Sequence, residues 1–163
     1  METNISIKMA EESTKVSPVI FTTPVEIEKV LYTGKTHTTG GGRDGGGSQS
    51  DDRRLDVAFT VPGSKGNGTN PEQMFAAGWS ACFIGAMKIA ASKMKVIVPA
   101  ELTVDTEVDL TTAGGGYFIQ ARLNVTLPGL DRSLGKALIE AAHQTCPYSK
   151  ATRGNINVTI NLV

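Results

Sequence analysis

One stretch constrains this chain more than any other: residues 70–94, NPEQMFAAGWSACFIGAMKIAASKM. Between Met74 and Ala91 its only polar side chains are Ser80 and Lys88. A helix built from it has no broad face to offer water and is expected to be buried nearly all round. Asn70 is a capping residue. Pro71 suits the first helical position, where its fixed φ fits and its missing N–H needs no partner, and Gln73 stands where a capping-box partner would. The apolar run approaches the length of a membrane span, but its alanines, glycines and Lys88 read as a core helix, with no membrane partner. In the middle stands Cys82, and in the first turn Glu72, the only acidic residue of the stretch. A thiol inside a buried rod is the feature to explain.

With 163 residues the chain has the length of one domain and buries about two-thirds of its unfolded surface without needing a disulfide staple. Sixteen Lys and Arg balance sixteen Asp and Glu, which argues against attraction to nucleic acid or an anionic membrane. The two cysteines, Cys82 and Cys146, are too few for a disulfide-rich secreted domain. A bridge between them would close a loop of about 65 residues and stabilise by roughly 4 kcal/mol on the chain-entropy model. The N-terminal residues, METNISIKMAEESTKVSPV, show no basic segment leading into an apolar one and are acidic for a transit peptide. A reducing, cytoplasmic setting is the expectation. His143 and Cys146 are spaced H-x-x-C, but His37 and Cys82 are the only other soft ligands, so no metal is expected.

Residues 1–27 read as a flexible N-terminal extension and 28–163 as a single domain. A strand is expected within Ile27–Thr39 and a second over Leu55–Val61, forming a hairpin around the glycine run GGGRDGGGSQSDDR. PGSKGNGT then leads into the central helix. Beyond it, VIVPAELTVDTEVDLT and Tyr117–Leu127 alternate as two strands joined at Gly114–Gly116. Asp131 or Ser133 starts an amphipathic helix that Cys146-Pro147 stops, and Asn155–Val163 alternates as a last strand. The order points to an α+β domain with two main helices packed on antiparallel sheet.

Cysteine chemistry runs through the thiolate, whose unperturbed pKa of about 8.5 leaves the thiol protonated at neutral pH. Burial raises it further, and the helix N-terminus is too far away to help, since dipole effects fade within a turn. A reactive Cys82 therefore needs a side-chain cation. Arg43, held in a run of glycines where backbone can approach closely, is the conspicuous candidate, and Glu72 is the carboxylate to fix its fork. Glu72 and Cys82 stand about 15 Å apart along one helix and about 80° apart around it, so one straight copy cannot place both in one compact site. Two antiparallel copies packed through Gly78, Ala81 and Gly85 can. We therefore expect a homodimer in which Arg43 and Glu72 are donated across the interface. If folding brings Cys146 near Cys82, the pair can cycle through a sulfenic acid and a disulfide.

NPEQMFAAGWSACFIGAMK, GGRDG, LPGLDR and AHQTCPYSKATRGNINVTINLV together resemble the organic hydroperoxide resistance proteins, the Ohr branch of the Ohr/OsmC superfamily, over about Glu28 to Val163. The resemblance implies an OsmC/Ohr-like α+β fold in an intertwined homodimer, with a buried central helix and composite active sites. It implies thiol-dependent reduction of alkyl and fatty-acid hydroperoxides to alcohols. Cys82 would be the peroxidatic and Cys146 the resolving cysteine, Arg43 the thiolate-stabilising cation and Glu72 its orienting partner. The implied reductant is dihydrolipoamide or a lipoylated protein acting from outside, with no bound cofactor. Phe75, Trp79 and Phe83 are candidates to receive the organic tail, although aromatics at helical spacing also serve as core. Read singly, Cys82 is a buried structural thiol, Arg43 a solvated turn residue and Glu72 a first-turn carboxylate. The motifs taken together favour the catalytic reading. Two alternatives are an OsmC-type peroxidase and a thiol redox sensor that turns over poorly.

Overall fold

The computed structural model describes residues 25–163, so the extension expected over 1–27 falls, up to residue 24, outside the described residues. By internal contacts the chain divides into a unit ending at Gly34 and a unit spanning Lys35–Val163. The second unit holds every element named below.

Three short strands come first: β1 (Thr36–Thr38), β2 (Gly47–Ser50) and β3 (Asp56–Ala58), in that order in one antiparallel sheet. The expected two-strand hairpin is therefore a three-strand meander. The glycine loop joins β1 to β2, and β2 is drawn from the end of the glycine run itself. GSQS contains none of the branched or aromatic residues that mark a strand in sequence. Its pairing with both neighbours supplies the order instead.

The long helix α1 (Pro71–Met94) begins as its sequence demands: the Asn70 side chain accepts a 2.8 Å hydrogen bond from the Gln73 N–H. The Gln73 side chain does not reach back in a capping box but accepts from the Thr69 hydroxyl at 2.9 Å. The helix ends at Lys95, whose φ of 58° is left-handed and whose N–H turns back to the Ala91 and Ser92 carbonyls. Trp79, Phe83, Ala86, Met87, Ala90 and Ala91 are buried. By length and composition α1 would also suffice to cross a membrane, but these residues belong to the core.

Within one chain, burial nearly all round is not what α1 shows. Ala77, Ala81, Gly85 and Ile89, spaced by four residues, lie open along one stripe. The sheet and the second helix cover only the other side. Gly78, expected to face a second copy, is turned inward against Tyr148.

A second sheet provides the other layer. β4 (Thr103–Ala113) and β5 (Gly116–Thr126) form a full-length antiparallel hairpin turned through Gly114 and Gly115, both at positive φ. Burial alternates along the second half of β5, with Ala121, Leu123 and Val125 buried and their neighbours less so. α2 (Arg132–Thr145) is capped by the Asp131 side chain on the Leu134 N–H at 3.0 Å and buries Leu138, Ile139 and Ala142. α3 (Pro147–Thr152) follows at once. Pro147 does end α2, as expected, but the same fixed φ and missing N–H suit it to open a new helix. β6 (Asn157–Leu162) then pairs with β5 in parallel rather than antiparallel register. The crossover through α2 and α3 returns the chain to the end of the sheet where β5 began, and that connection makes a parallel neighbour. α1 and α2 pack on one face of this mixed sheet, so the α+β architecture stands with one parallel pairing.

Candidate functional site

Cys82 lies midway along α1, partly exposed, and Cys146 lies fully buried at the joint of α2 and α3. Both are free thiols, and the Cys146 Sγ stands 3.4 Å from the Cys82 Sγ. A disulfide needs about 2.05 Å, so the pair is close enough to bond after a small movement of either side chain. Burial pushes the Cys82 thiol above its ordinary pKa, the backbone N–H of Tyr148 pulls it part of the way back, and the neighbouring Cys146 thiol raises it again. Among the described residues of one chain, the two thiols are placed together and no cation lowers the Cys82 pKa.

The cation stands elsewhere in the same chain. The glycine loop doubles back so tightly that a Cβ on Gly46 would sit 2.5 Å from the Gly42 nitrogen, and one on Gly41 2.7 Å from the Gly46 nitrogen. The Gly46 N–H closes this turn on the Gly42 carbonyl at 3.1 Å. Arg43 projects from it, and its Nη2 donates to Glu72 Oε1 at 2.7 Å. The Glu72 side chain is only 12% exposed and that of Arg43 37%. The second carboxylate oxygen, Oε2, is buried without a partner among the described residues. The structure thus brings Arg43 to Glu72 and Cys146 to Cys82. It keeps the two pairs apart by the ten-residue step along α1 from Glu72 to Cys82, about 15 Å of helix.

The three aromatic candidates are distributed differently. Trp79 and Phe83 have no exposed surface and belong to the core, where the Trp79 indole N–H donates to the buried Ser149 hydroxyl at 3.3 Å. Phe75 is partly buried, edge-on to Trp79 with ring centroids 5.5 Å apart and tilted against Tyr148 at 5.8 Å.

Sequence reasoning passed over several neighbours of these groups. A cavity of about 390 Å³ is lined by Arg43, Leu110 and Tyr117, and a groove of about 560 Å³ runs along the open edge of β4 past Glu72, Ala76 and Val108. Leu110 and Tyr117 carry no signal in sequence, since they are ordinary strand residues brought to Arg43 by the hairpin. Tyr148 does carry one: it stands two residues after Cys146 in TCPYS. Among the described residues no three His, Cys, Asp or Glu side chains gather as a metal site. His143 keeps its Nδ1 buried and without a partner among those residues.

Residues 63–161 match the family model described as OsmC-like protein. An organic hydroperoxide resistance protein of Xanthomonas axonopodis pv. citri is 47% identical over 139 residues, covering 83% of this chain and 96% of that one. Organic hydroperoxide resistance protein OhrB of Bacillus subtilis is 42% identical over 135 residues, covering 81% of this chain and 98% of its own length. Its crystal structure superposes with a TM-score of 0.74 over 82% of this chain and 100% of that chain, at 39% identity. A crystal structure from Vibrio cholerae, of a protein described as an organic hydroperoxide resistance protein with captopril bound in one of its active sites, superposes with a TM-score of 0.76. It is 33% identical and covers 84% of this chain and 95% of that one.

Proposed function

The chain belongs to the OsmC-like family, among the organic hydroperoxide resistance proteins, and from that membership we propose that it is a thiol peroxidase that reduces organic hydroperoxides to alcohols. The observation that carries the reading is the 3.4 Å separation of the Cys82 and Cys146 sulfurs. Cys82 is the partly exposed member and the one a peroxide can reach. Its thiolate attacks the oxygen remote from the organic group. The O–O bond breaks, an S–O bond forms, and the alkoxide leaves as alcohol after taking a proton. The sulfenic sulfur, oxidised by two electrons, is then attacked by the Cys146 thiol. The S–S bond forms as the S–O bond breaks, and water departs. A dithiol reverses the bond by exchange, and dihydrolipoamide or a lipoylated protein is the donor proposed for that step.

Arg43 is the group we assign to lowering the thiolate's energy and receiving charge on the peroxide oxygens, with Glu72 holding its guanidinium. Because one chain keeps Arg43–Glu72 away from Cys82, the complete site is proposed to form in a homodimer, each copy lending its ion pair to the other's thiols. The open stripe of Ala77, Ala81 and Gly85 on α1 supports close approach of a second helix. The apolar tail is assigned to Phe75 and to the Leu110 and Tyr117 side chains that line the cavity beside Arg43, rather than to the buried Trp79 and Phe83.

The test is steady-state consumption of an alkyl hydroperoxide with dihydrolipoamide as reductant. Cys82→Ser is expected to be inactive, and Cys146→Ser to give one turnover and then stall. Full turnover by Cys82→Ser overturns the assignment, and full activity in a strictly monomeric protein overturns the composite site.

A further inference from the structure

Phe75, Gly78 and Cys82 follow one another on α1 at spacings of three and four, so they share one face of the helix. Tyr148, in the first turn of α3, lies on that face. Its ring is tilted against Phe75 with centroids 5.8 Å apart, and its hydroxyl oxygen would sit 3.1 Å from a Cβ placed on Gly78. α3 starts immediately after Cys146, and the Lys150 N–H closes its first turn on the Cys146 carbonyl at 3.0 Å. Cys146 and Tyr148 therefore belong to a single helical turn and move together. The absence of a side chain at Gly78 is what lets the ring settle against α1, and where the ring settles decides where that turn stands relative to Cys82.

We propose that Tyr148 is a positioning residue for disulfide closure: its ring, seated between Phe75 and Gly78, holds the Cys146 sulfur within 3.4 Å of Cys82. The proposal rests on the peroxidase reading for its biological setting but concerns only the second chemical step, attack of Cys146 on an oxidised Cys82. The step is sensitive to placement, because misplacing reacting atoms by about 1 Å can slow a reaction about a hundredfold. The Tyr148 hydroxyl makes no hydrogen bond among the described residues, so the ring and not the phenol is the part that matters. While closure is delayed, a sulfenic acid at Cys82 stays open to a second peroxide, which carries it to sulfinic acid.

The experiment separates this step from peroxide chemistry by using 4,4′-dithiodipyridine. Partly exposed Cys82 attacks the probe's disulfide and releases one thiopyridone. Buried Cys146 then attacks the mixed disulfide at Cys82 and releases the second. Stopped-flow absorbance reads both phases in wild type, Tyr148→Ala, Tyr148→Phe and Gly78→Ala, with thermal unfolding of each. Tyr148→Ala is expected to leave the first phase within about twofold and to slow the second by about tenfold or more. Tyr148→Phe restores the wild-type second phase. Gly78→Ala slows it by a smaller factor without lowering the melting temperature, because Tyr148 is 38% exposed and its ring can yield outward while alanine favours the helix.

An unchanged second phase in Tyr148→Ala overturns the proposal. So does a Tyr148→Phe as slow as Tyr148→Ala, which would make the hydroxyl the working group. So too does an equal slowing of both phases with a lowered melting temperature, which would make the contact merely structural. A wild-type protein that releases both equivalents in the expected pattern yet consumes no hydroperoxide refutes the peroxidase reading and leaves the positioning role supported.

Discussion

Removing Arg43 should expose how strongly the glycine loop is tied to the start of α1. The guanidinium and carboxylate meet at 2.7 Å with side chains 37% and 12% exposed. Unit charges at about 4 Å attract by roughly 1 kcal/mol in bulk water and 4 kcal/mol at an effective dielectric of about 20. A pair with one partner largely buried and the other open lies between those limits, so a coupling of about 2 kcal/mol is expected. The single change Arg43→Ala should cost about 2–3 kcal/mol, because it leaves neither Glu72 oxygen with a partner among the described residues. Glu72→Ala also removes a carboxylate from a helix N-terminus, an effect of about 0.3–1 kcal/mol that cancels when the double variant closes the cycle. Urea unfolding of the four proteins at one fixed concentration measures the coupling, with the concentration held because association contributes to stability. Single effects that add to the double within about 0.5 kcal/mol would show that the contact carries no net energy, and the account of Arg43 as fixed by Glu72 would fall. Because Glu72 is largely buried, the coupling should also persist in high salt, where an exposed pair would be screened away.

Gly46→Ala should reproduce much of the loss of hydroperoxide turnover caused by Arg43→Ala, although residue 46 touches no reacting group. Its Cβ would lie 2.5 Å from the Gly42 nitrogen and 2.7 Å from the Gly42 oxygen, so the turn carrying Arg43 must open. Wild-type turnover in Gly46→Ala would separate the loop's shape from Arg43's placement. His143→Gln should flatten the acid side of the stability curve. Burial first and Arg153 second hold the His143 pKa below its ordinary 6.5. The unfolded chain therefore takes up the proton more readily than the folded one, and the contribution is complete above about pH 6.5 and lost as pH falls through the folded value. Urea midpoints between pH 7 and pH 5 that decline equally in both proteins would refute that.

What the sequence made legible, and what it hid, follows from which forces act locally. The Arg43–Glu72 contact was readable because an arginine in a tight glycine loop needs an anion, and the first turn of α1 supplies one. The capped start of α1 at Asn70 and the turn at Gly114–Gly115 were readable because their chemistry lies within a few residues. β2 was not, because GSQS is ordered by its two neighbours rather than by its own composition. Nor was the parallel pairing of β6, which depends on the direction from which α2 and α3 return the chain.

The hardest feature to read was the face of α1. A helix that is apolar all round has no hydrophobic period to orient it, so the identity of its covered face is decided by partners remote in sequence. That is why Trp79 and Phe83 could be proposed as apolar pocket residues near Cys82 and yet lie in the core, and why Gly78 was expected to face another helix and faces Tyr148 instead. What the chain leaves uncovered is the line of smallest side chains, Ala77, Ala81 and Gly85, together with Ile89. At the three small positions a large apolar side chain would stand exposed in a lone chain, as Ile89 does, and a polar one would resist burial by a second helix. Small residues are tolerable in both states, so the composition that hid the orientation of α1 is also what fits it to meet another copy of itself.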